Sequence, residues 1–435
     1  MNIVRHNDPD FSEQMSDMLR GSSLFDPVVT ERTQAILTQV ADHGDTALLE
    51  LTRRFDRASL TADQLAVTRA ERMQAALTAD ASLRDALATS TRNIEAFSRR
   101  SRRRDWTSVN TQGGRVGEKF DAFQRVGIYV PGGTAPLAST ALMTILLAKV
   151  AGCPEIVVCS PCGKEGGLNP ALLHAVSVSG ATEIYRVGGA QAIAAMAHGT
   201  DTIRRVSKIF GPGNAYVVAA KRLLVGHVAI DLLPGPSEVM VLADDSADPA
   251  WIAADLLAQA EHGSGHERVW LLSPSLRILK AVEKQVMRQI KSLTRRDFIE
   301  KALMANGWLV QIKDLDQGVD LVNQLAPEHC EIMTREPRKV AKKITTAGAL
   351  FLGGFSPTVL GDYVAGPSHT LPTGGAGASF SGLTVDQFQR RTSLVEYSAT
   401  ALRKSLSTVQ TFARLEGLDA HGRSASIRLE KNRKG

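Results

Sequence analysis

The sequence has few cysteines and no long apolar run, and these shortages exclude several classes of protein. No run reaches the roughly 20 apolar residues that a transmembrane helix needs. The amino terminus MNIVRHNDPDF lacks the basic and apolar regions of a secretory signal. Four cysteines in 435 residues are too few for a disulfide framework, and the CxxC from Cys159 to Cys162 has no second pair to complete a zinc ribbon. We therefore expect a cytoplasmic protein with reduced thiols and no membrane segment.

The usual nucleotide-binding fingerprints are also absent from the sequence. It contains no GxGxxG that opens a helix after a strand, and no GxxxxGK[ST]. Glycines nonetheless follow several predicted strands, as Gly132, Gly133, Gly188, Gly189, Gly211 and Gly213. Ligands of open α/β sheets bind outside the carboxyl ends of strands, where glycine lets the backbone approach a phosphate or ring. The residues alone leave a nucleotide site open without establishing it.

The composition indicates a globular protein of more than one domain, because 435 residues exceed the size of a single core. The net charge is +6, and five arginines lie within the stretch Arg99–Arg104. Clustered arginines can bind nucleic-acid phosphates. Apolar Ile94 and Phe97 precede them at helical spacing, however, which favours the solvated face of a helix. We expect no nucleic-acid partner.

Short apolar runs alternate with helical segments from Val126 onward, and this predicts βαβ units around mostly parallel sheets. The first series of strands begins at Val126, Glu155, Glu183 and Val228. After the loop LLPGPSE, a second series begins at Val239, Val269, Trp308, Cys330 and Ala349. The predicted fold class is therefore α/β, with two incomplete Rossmann-like domains, parallel sheets, and helical amino-terminal and carboxy-terminal extensions.

The predicted domains follow from these two series. In chain order they are an amino-terminal extension (1–24), a first Rossmann-like domain (25–128 and 239–381), a second Rossmann-like domain (129–238) and a carboxy-terminal helical segment (382–435). Glycines are predicted to end two of the helices, the one from Glu31 at Gly44 and the one from Ser139 at Gly152.

One helix carries two candidate ligands near its end. Asp248 and Pro249 are typical of a helix start, and the helix is predicted to continue to a cap at Gly263. Gln259 and His262 are then three residues apart on one face, where both can bind one ligand. An exposed polar pair at this spacing is more common than a metal site, so the pair alone is a weak signal.

The segment APEHC places an acid next to a base. Pro327 ends the preceding helix, so Glu328 and His329 lie at the start of a strand, where α/β enzymes tend to place active-site residues. An adjacent carboxylate and imidazole suit an oxidation that removes a hydroxyl proton and then activates a water. On the dipeptide alone, a surface carboxylate and a loop histidine remain the more common interpretation.

Further polar residues follow in the motifs LGDYVAGPSH and LEGLDAH, namely Asp362, His369, Glu416 and His421. Gln259, His262, Asp362 and His421 together offer two nitrogens and two oxygens, a donor set that suits zinc better than calcium or copper. The sequence does not show whether these four residues meet.

Several longer motifs resemble, in order and spacing, those of the histidinol dehydrogenase family. They are VGIYVPGGTAP, VGGAQAIAA, IFGPGNAY, GPSEVMVLAD, LLAQAEHG, APEH, AGALFLG, LGDYVAGPSHTLPTGG and GLDAH. The resemblance is dense from about Val126 to His421 and loose over the amino-terminal helices. Convergence of fold alone does not produce so many long motifs in one order.

This resemblance implies an enzyme that oxidises L-histidinol to L-histidinaldehyde and then to L-histidine, the last steps of histidine biosynthesis. It implies one Zn²⁺ per subunit, bound by Gln259, His262, Asp362 and His421. It implies NAD bound near Tyr129, Gln191 and Asn214. Proton transfer falls to Glu328 and His329. The implied substrate-binding residues are Ser237, Gln259, His262, His329, Asp362, Glu416 and His421.

The resemblance also implies a homodimer with shared active sites. The carboxy-terminal segment would cross to the partner, so that Glu416 and His421 complete the site of the other subunit. The first Rossmann-like domain would carry the catalytic bases and most zinc ligands, and the second would lie on the NAD side.

Three features depart from the common family pattern. Ser368 stands where asparagine is frequent, Pro234 stands where alanine is usual, and GGAGASFSG replaces a stretch that usually contains arginine. None of these positions is an implied ligand. They leave open an alternative, a family relative that oxidises another small polar alcohol with the same zinc and NAD apparatus. A binding protein without catalysis is disfavoured, because every implied ligand and both bases are present.

Overall fold

The computed structural model describes residues 1–19, 26–132 and 137–430. Gly133, a member of one predicted glycine cluster, lies outside these ranges. Residues 20–24 of the predicted amino-terminal extension and residues 431–435 of the predicted carboxy-terminal segment also lie outside them.

The strands of the described ranges form three sheets. They are β1 (Asn2–Arg5), β2 (Trp106–Val109), β3 (Arg115–Ala122), β4 (Arg125–Tyr129), β5 (Glu155–Cys159), β6 (Glu183–Tyr185), β7 (Lys208–Phe210), β8 (Ala229–Ile230), β9 (Glu238–Ala243), β10 (Arg268–Ser273), β11 (Gly307–Gln311), β12 (His329–Met333), β13 (Ala349–Leu352) and β14 (Gln389–Glu396).

Helices alternate with these strands along most of the chain. They are α1 (Phe11–Leu19), α2 (Pro27–Phe55), α3 (Arg69–Thr78), α4 (Ala81–Ser101), α5 (Ala138–Ala151), α6 (Pro170–Ser179), α7 (Gly189–His198), α8 (Ala215–Leu223), α9 (Pro249–Ala260), α10 (Leu276–Gln289), α11 (Arg296–Asn306), α12 (Leu315–Leu325), α13 (Pro337–Ala341), α14 (Thr358–Tyr363), α15 (Ala399–Leu415) and α16 (Asp419–Glu430).

The first of the three sheets is parallel, has five strands and is buried on both faces. Its order is β6-β5-β4-β7-β8. Along β5, Ile156 and Val158 join one apolar cluster, whereas Val157 and Cys159 join another on the opposite face. Helices cover both faces, as a parallel sheet requires, and near-continuous apolar strands result.

The second sheet is also parallel, and its six strands have the order β1-β11-β10-β9-β12-β13. Val239 and Val241 of β9 pack into a cluster with α9 and α10, whereas Met240 and Leu242 pack into a cluster on the other face. Both predicted series of strands are therefore found, and the α/β class with two parallel sheets is confirmed.

The sequence patterns do not predict some of the strands. β1 adds to the edge of the six-stranded sheet by pairing with β11, and the three-residue β7 inserts between β4 and β8. A third sheet is antiparallel, in the order β14-β3-β2, and β14 lies within the carboxy-terminal segment predicted to be helical. Most side chains of β14 are exposed, so the strand shows no apolar alternation. Its pairing with β3 is a tertiary event that local pattern cannot reveal.

The amino-terminal helices pack on the five-stranded sheet. Leu37, Val40 and Leu48 of α2 lie in the apolar cluster that contains Ile193 of α7, and α4 contacts α5. The sequence analysis predicts a different grouping, in which residues 25–128 belong to the domain of the six-stranded sheet. The predicted domain boundary between residues 128 and 129 falls inside β4.

One of the three predicted glycine caps is confirmed; the predicted cap at Gly263 is wrong, because α9 ends at Ala260 with Glu261 as its cap. Gly152 caps α5 in the left-handed conformation. Gly44 interrupts the helical backbone within α2 at φ 50° and ψ −128°, but the chain then continues as a second helical stretch to Phe55. A glycine at that position permits the break because it lacks a Cβ.

The arginine-rich stretch lies at the end of α4, as the solvated-face interpretation predicts. Ile94 is fully buried, whereas Arg99 is exposed and pairs with Glu95 at 3.0 Å. In the ranges that the structure covers, no helix is both long and apolar enough to cross a membrane.

Candidate active site

The end of α9 brings three candidate residues together. The Asp248 side chain caps the helix by accepting the N–H of Ala250, as predicted. Gln259 is buried in the last turn of α9, and His262 follows the helix and is exposed. The Nδ1 atom of His262 lies 3.1 Å from the Oγ atom of Ser237, the residue before β9. The Nε2 atom of His262 is thereby left to face a ligand.

Glu328 and His329 form a buried acid–base pair. Their side chains are 9% and 5% exposed, and Oε2 of Glu328 lies 3.5 Å from Nδ1 of His329. Glu328 accepts the N–H of Glu238 at 2.8 Å, and Nδ1 of His329 donates to the carbonyl of Glu238 at 2.9 Å. The imidazole is held by one nitrogen, so its Nε2 atom is the one available for proton transfer.

These residues lie at the amino ends of their strands. His329 is the first residue of β12 and pairs with Val239, while Ser237 directly precedes β9. The expectation that active-site residues follow the general pattern of α/β enzymes therefore needs correction here, because that pattern favours the carboxyl ends. The cause is topological: α9 runs back across the sheet, so its carboxyl end with Gln259 reaches the edge where β9 and β12 begin.

The charge of Glu328 controls the protonation of His329. Burial lowers the pKa of His329, but Glu328, through its charge and its hydrogen bond, and the more distant Asp362 outweigh that effect and raise the pKa to about 9. For the neighbouring carboxyl of Glu238, burial raises the pKa to about 7, and the charge of Glu328 adds to that rise. The charge of Glu328 therefore favours the protonated form of the His329 imidazole at neutral pH.

Asp362 reaches the same region from α14. Its Oδ1 atom lies 3.7 Å from Nδ1 of His369, and its charge acts on both His329 and His369. Nε2 of His369 lies 3.3 Å from Oγ1 of Thr140 on α5, a contact between the two halves of the molecule. The sequence does not assign His369 to the site, and Thr140 carries no local signal because its partner is 229 residues away.

Glu416 and His421 do not join this cluster within one chain. Both are exposed, Glu416 at the end of α15 and His421 on α16. These two helices pack mainly on each other. Apolar side chains of α15 and the following turn are also exposed, with Phe412 at 57%, Leu415 at 79% and Leu418 at 39%.

The residues implied as zinc ligands have side chains that suit a metal, but a single chain does not bring all four together. Among the residues that the structure describes, no group of three or more His, Cys, Asp or Glu side chains is placed to hold a metal. Of the four implied ligands, Gln259 is not one of these residue types and His421 lies on the carboxy-terminal helix α16, which leaves His262 and Asp362. The Nε2 atom of Gln259 is buried without a hydrogen-bond partner. That nitrogen is a donor and cannot bind a cation, so the fit to zinc rests on the chemistry of the set: one amide oxygen, one carboxylate and two imidazoles are donors that zinc accepts.

The residues implied for NAD lie at the carboxyl end of the five-stranded sheet. Tyr129 is the last residue of β4, and its hydroxyl accepts the N–H of Gly189 at 3.1 Å. Gln191 is buried in the first turn of α7. Asn214 follows β7 and caps α8 by accepting the N–H groups of Tyr216 and Val217. Each therefore also has a structural role in shaping this edge.

Comparison with known proteins supports one family throughout. The family model described as histidinol dehydrogenase matches residues 21–429. Histidinol dehydrogenase from Geobacillus kaustophilus is 47% identical over 91% of this chain and 93% of its own length. The enzyme of the same name from Bradyrhizobium diazoefficiens is 44% identical over 97% of each chain.

Solved structures agree with the sequence comparison. The crystal structure of histidinol dehydrogenase from Elizabethkingia anophelis superposes with a TM-score of 0.95 at 33% identity, covering 100% of this chain and 99% of that one. An acetylating aldehyde dehydrogenase from Geobacillus thermoglucosidasius shares only the fold, with a TM-score of 0.50 at 15% identity over 90% of this chain and 98% of its own. The chain therefore belongs to the histidinol dehydrogenase family of oxidoreductases.

Proposed function

We propose that this protein oxidises L-histidinol to L-histidinaldehyde and then to L-histidine, with two NAD molecules reduced and one zinc ion per subunit. The observation that carries the proposal is the buried Glu328–His329 pair, within the electrostatic reach of Asp362, in a chain of this family. An oxidation of an alcohol to an acid needs a proton acceptor and a water-activating base, and this pair supplies both.

His329 is proposed to accept the hydroxyl proton of the substrate. The Nδ1 atom of His329 keeps its hydrogen because it donates to the carbonyl of Glu238. Nε2 is therefore the nitrogen that can accept a proton, after it has lost the one that it carries near neutral pH. When bound, NAD would accept one hydride in each of the two oxidations, and the site would hold the aldehyde between them. Glu328 would activate the water that adds to this aldehyde. Retention of the aldehyde protects a reactive intermediate.

Gln259, His262, Asp362 and His421 would hold the zinc ion. When bound, zinc would orient the substrate through its imidazole and amino nitrogens, which are donors that this metal accepts readily. Ser237 contacts Nδ1 of His262 and would fix the ring so that its other nitrogen meets the metal. The remaining proposed substrate contacts are His329 and Glu416.

The proposed assembly is a homodimer that exchanges carboxy-terminal segments. The exposed apolar residues Phe412, Leu415 and Leu418 favour burial against a second copy of the chain. In that arrangement Glu416 and His421 would complete the site of the partner, which accounts for their distance from the other ligands. NAD would bind near Tyr129, Gln191 and Asn214. The cytoplasmic location stays a prediction from the sequence.

The alternative is oxidation of another small polar alcohol by the same apparatus. Ser368 weakens the case for it, because its Oγ atom donates to the carbonyl of Met143 at 3.0 Å and is buried. This departure from the family pattern is thus a packing contact between the two halves.

Reduction of NAD with L-histidinol and with other polar alcohols tests the proposal. We expect two NADH and one L-histidine per L-histidinol. Release of free aldehyde after one NADH, or a higher kcat/KM for another alcohol, contradicts it.

A further inference from the structure

The loop between α9 and β10, residues 261–267, carries His262 outside any helix or strand. Gln259 lies in the last turn of α9, which ends two residues before His262. Gly263 and Gly265 follow with φ of 95° and 75°. Glycine loses more conformational freedom on folding than any other residue, so a loop of this kind needs contacts to stay in one conformation. The position of His262 relative to Gln259 therefore depends on what holds the loop.

The carboxylate of Glu267 holds the loop from its far end. Glu267 directly precedes β10 and is 1% exposed. Its Oε1 atom accepts the backbone N–H of Ser264 at 2.6 Å, and its Oε2 atom accepts that of Gly265 at 2.9 Å. Hydrogen bonds to a charged acceptor are stronger than those between neutral groups. Both carboxylate oxygens are thus used to fix the turn that follows His262.

Arg295, the residue before α11, holds the loop on the side of His262. Its Nη2 atom donates to the backbone carbonyl of His262 at 3.2 Å. The same group fills the space that a Cβ of Gly263 would need, so glycine at that position permits the approach. The guanidinium carbon of Arg295 lies 5.1 Å from the ring centre of Phe298, a contact that orients the side chain.

The loop also returns to the residue that the imidazole of His262 contacts. The N–H of Arg268, at the start of β10, donates to the carbonyl of Ser237 at 3.1 Å. The Oγ atom of Ser237 lies 3.1 Å from Nδ1 of His262. Ser237 therefore orients the ring of His262, whereas Arg295 and Glu267 fix the backbone that carries it.

We propose that Glu267 and Arg295 are positioning residues, which fix this loop so that His262 is preorganised to bind the metal together with Gln259. A ligand that is already held in place loses little conformational freedom on binding, and the affinity is higher as a result. The identity of the bound ion rests on the proposed function.

Variants at Glu267 test the inference without leaving a buried charge. Glu267→Ala removes both acceptors, and Glu267→Gln keeps one, since an amide nitrogen only donates. Ser264→Ala is the matched control in the same loop, because it removes only the hydroxyl that accepts the N–H of His266 at 3.1 Å and keeps both bonds to Glu267. The readout is the zinc affinity of the folded full-length protein, measured with zinc alone in competition with a chelator.

We expect Glu267→Ala to bind zinc about 10–100-fold more weakly, the range found when groups that orient metal ligands are lost. Glu267→Gln should lie between this variant and the wild type. Arg295→Met should also weaken binding, because the carbonyl of His262 loses its donor. Ser264→Ala should stay within about threefold of the wild type, since the groups that orient His262 remain. Wild-type affinity in both Glu267→Ala and Arg295→Met, or equal weakening in Ser264→Ala, overturns the inference.

Amide hydrogen exchange in the zinc-free protein tests the loop independently of the metal. The N–H groups of Ser264 and Gly265 should exchange slowly in the wild type, because Glu267 accepts both, and about 10-fold or more faster in Glu267→Ala. Fast exchange in the wild type contradicts the fixed loop. A wild type that binds no zinc refutes the proposed function, whereas slow exchange there still supports the fixed loop. Tight zinc binding in the wild type and in every variant refutes only the positioning role.

Discussion

The two parallel sheets contribute opposite strand ends to the candidate site. In the five-stranded half, Tyr129 ends β4 and Asn214 follows β7, so the carboxyl edge faces the proposed cofactor. In the six-stranded half, Ser237 precedes β9 and His329 begins β12, so the amino edge carries the proposed acid–base pair. The preference of ligands for carboxyl ends therefore describes one half of this protein only, and the returning helix α9 explains the other.

The halves also differ in how they treat buried charge. Lys221 and Asp231, in the five-stranded half, form an ion pair whose side chains are fully buried. Lys221 also donates to the carbonyl of Gly211, and Asp231 accepts the backbone N–H of Gly211, so both charged groups have further hydrogen-bond partners. Glu328 and His329 instead leave Nε2 of the imidazole open. We call Lys221–Asp231 the closed pair, because its charged groups are fully hydrogen-bonded and stabilise a loop. We call Glu328–His329 the open pair, because the imidazole nitrogen that it leaves open can transfer protons.

The strongest test of this division removes ligands from different parts of the chain. His262→Asn and His421→Asn should each lose bound zinc and at least about 100-fold in activity, because each removes one proposed metal ligand. His266→Asn is the control, since His266 is exposed near His262 and is not a proposed ligand. Unchanged zinc in both variants, by elemental analysis, refutes the ligand assignment.

Mixing the two variants tests whether the site is shared between subunits. After subunit exchange at equal amounts, half the dimers are mixed and each has one intact site, so about a quarter of the wild-type activity should return. Activity that stays at the level of the single variants places all ligands in one chain, or shows that subunits do not exchange. Because the two variants have the same mass, one of them is isotope-labelled, and mass spectrometry of the intact dimers then distinguishes these two results.

The next largest effect separates the two members of the open pair. Glu328→Gln should slow oxidation of L-histidinaldehyde by about 100-fold or more, and slow oxidation of L-histidinol far less, since only the second step needs an activated water. His329→Asn should depress both steps, and zinc should stay bound in each variant. Single-turnover measurements of each half-reaction give the answer. Equal slowing of both halves by Glu328→Gln contradicts this division of roles.

In the five-stranded half, the closed pair should matter for stability. Lys221→Met leaves Asp231 buried without its cation and should lower the free energy of unfolding by about 3–5 kcal/mol. Lys149→Met, at a half-exposed salt bridge to Glu95, should change it by less than about 1 kcal/mol. Denaturant titration measures both. Similar small losses in the two variants imply that the buried pair contributes no more than a surface one.

The smallest expected effect is a shift in the titration of His329. In the zinc-free wild type its pKa should lie near 9, and Glu328→Gln should lower it by removing the charge that opposes the effect of burial. Since the pKa is raised on folding, protonated His329 stabilises the fold below about pH 6.5, and this contribution is lost as the pH rises through 9. NMR of labelled histidine follows the shift, and an unchanged pKa in Glu328→Gln contradicts this origin.

Much of this protein's architecture follows from patterns within the chain. Alternating apolar runs established both series of parallel strands, because a strand buried on both faces must be apolar throughout. Helix caps at Asp248 and Gly152 followed from local backbone chemistry. The motifs around Gln259, Glu328 and Asp362 identified the family before any contact was known.

The places where these residues meet depend on long-range contacts in the folded chain. It placed the acid–base pair at the amino ends of β9 and β12, brought Thr140 to His369, and paired β14 with β3. It also left His421 on an exposed helix away from the other proposed ligands. These outcomes depend on contacts between residues far apart in the chain. Local propensity and spacing carry no information about such contacts, because they describe only neighbours in sequence.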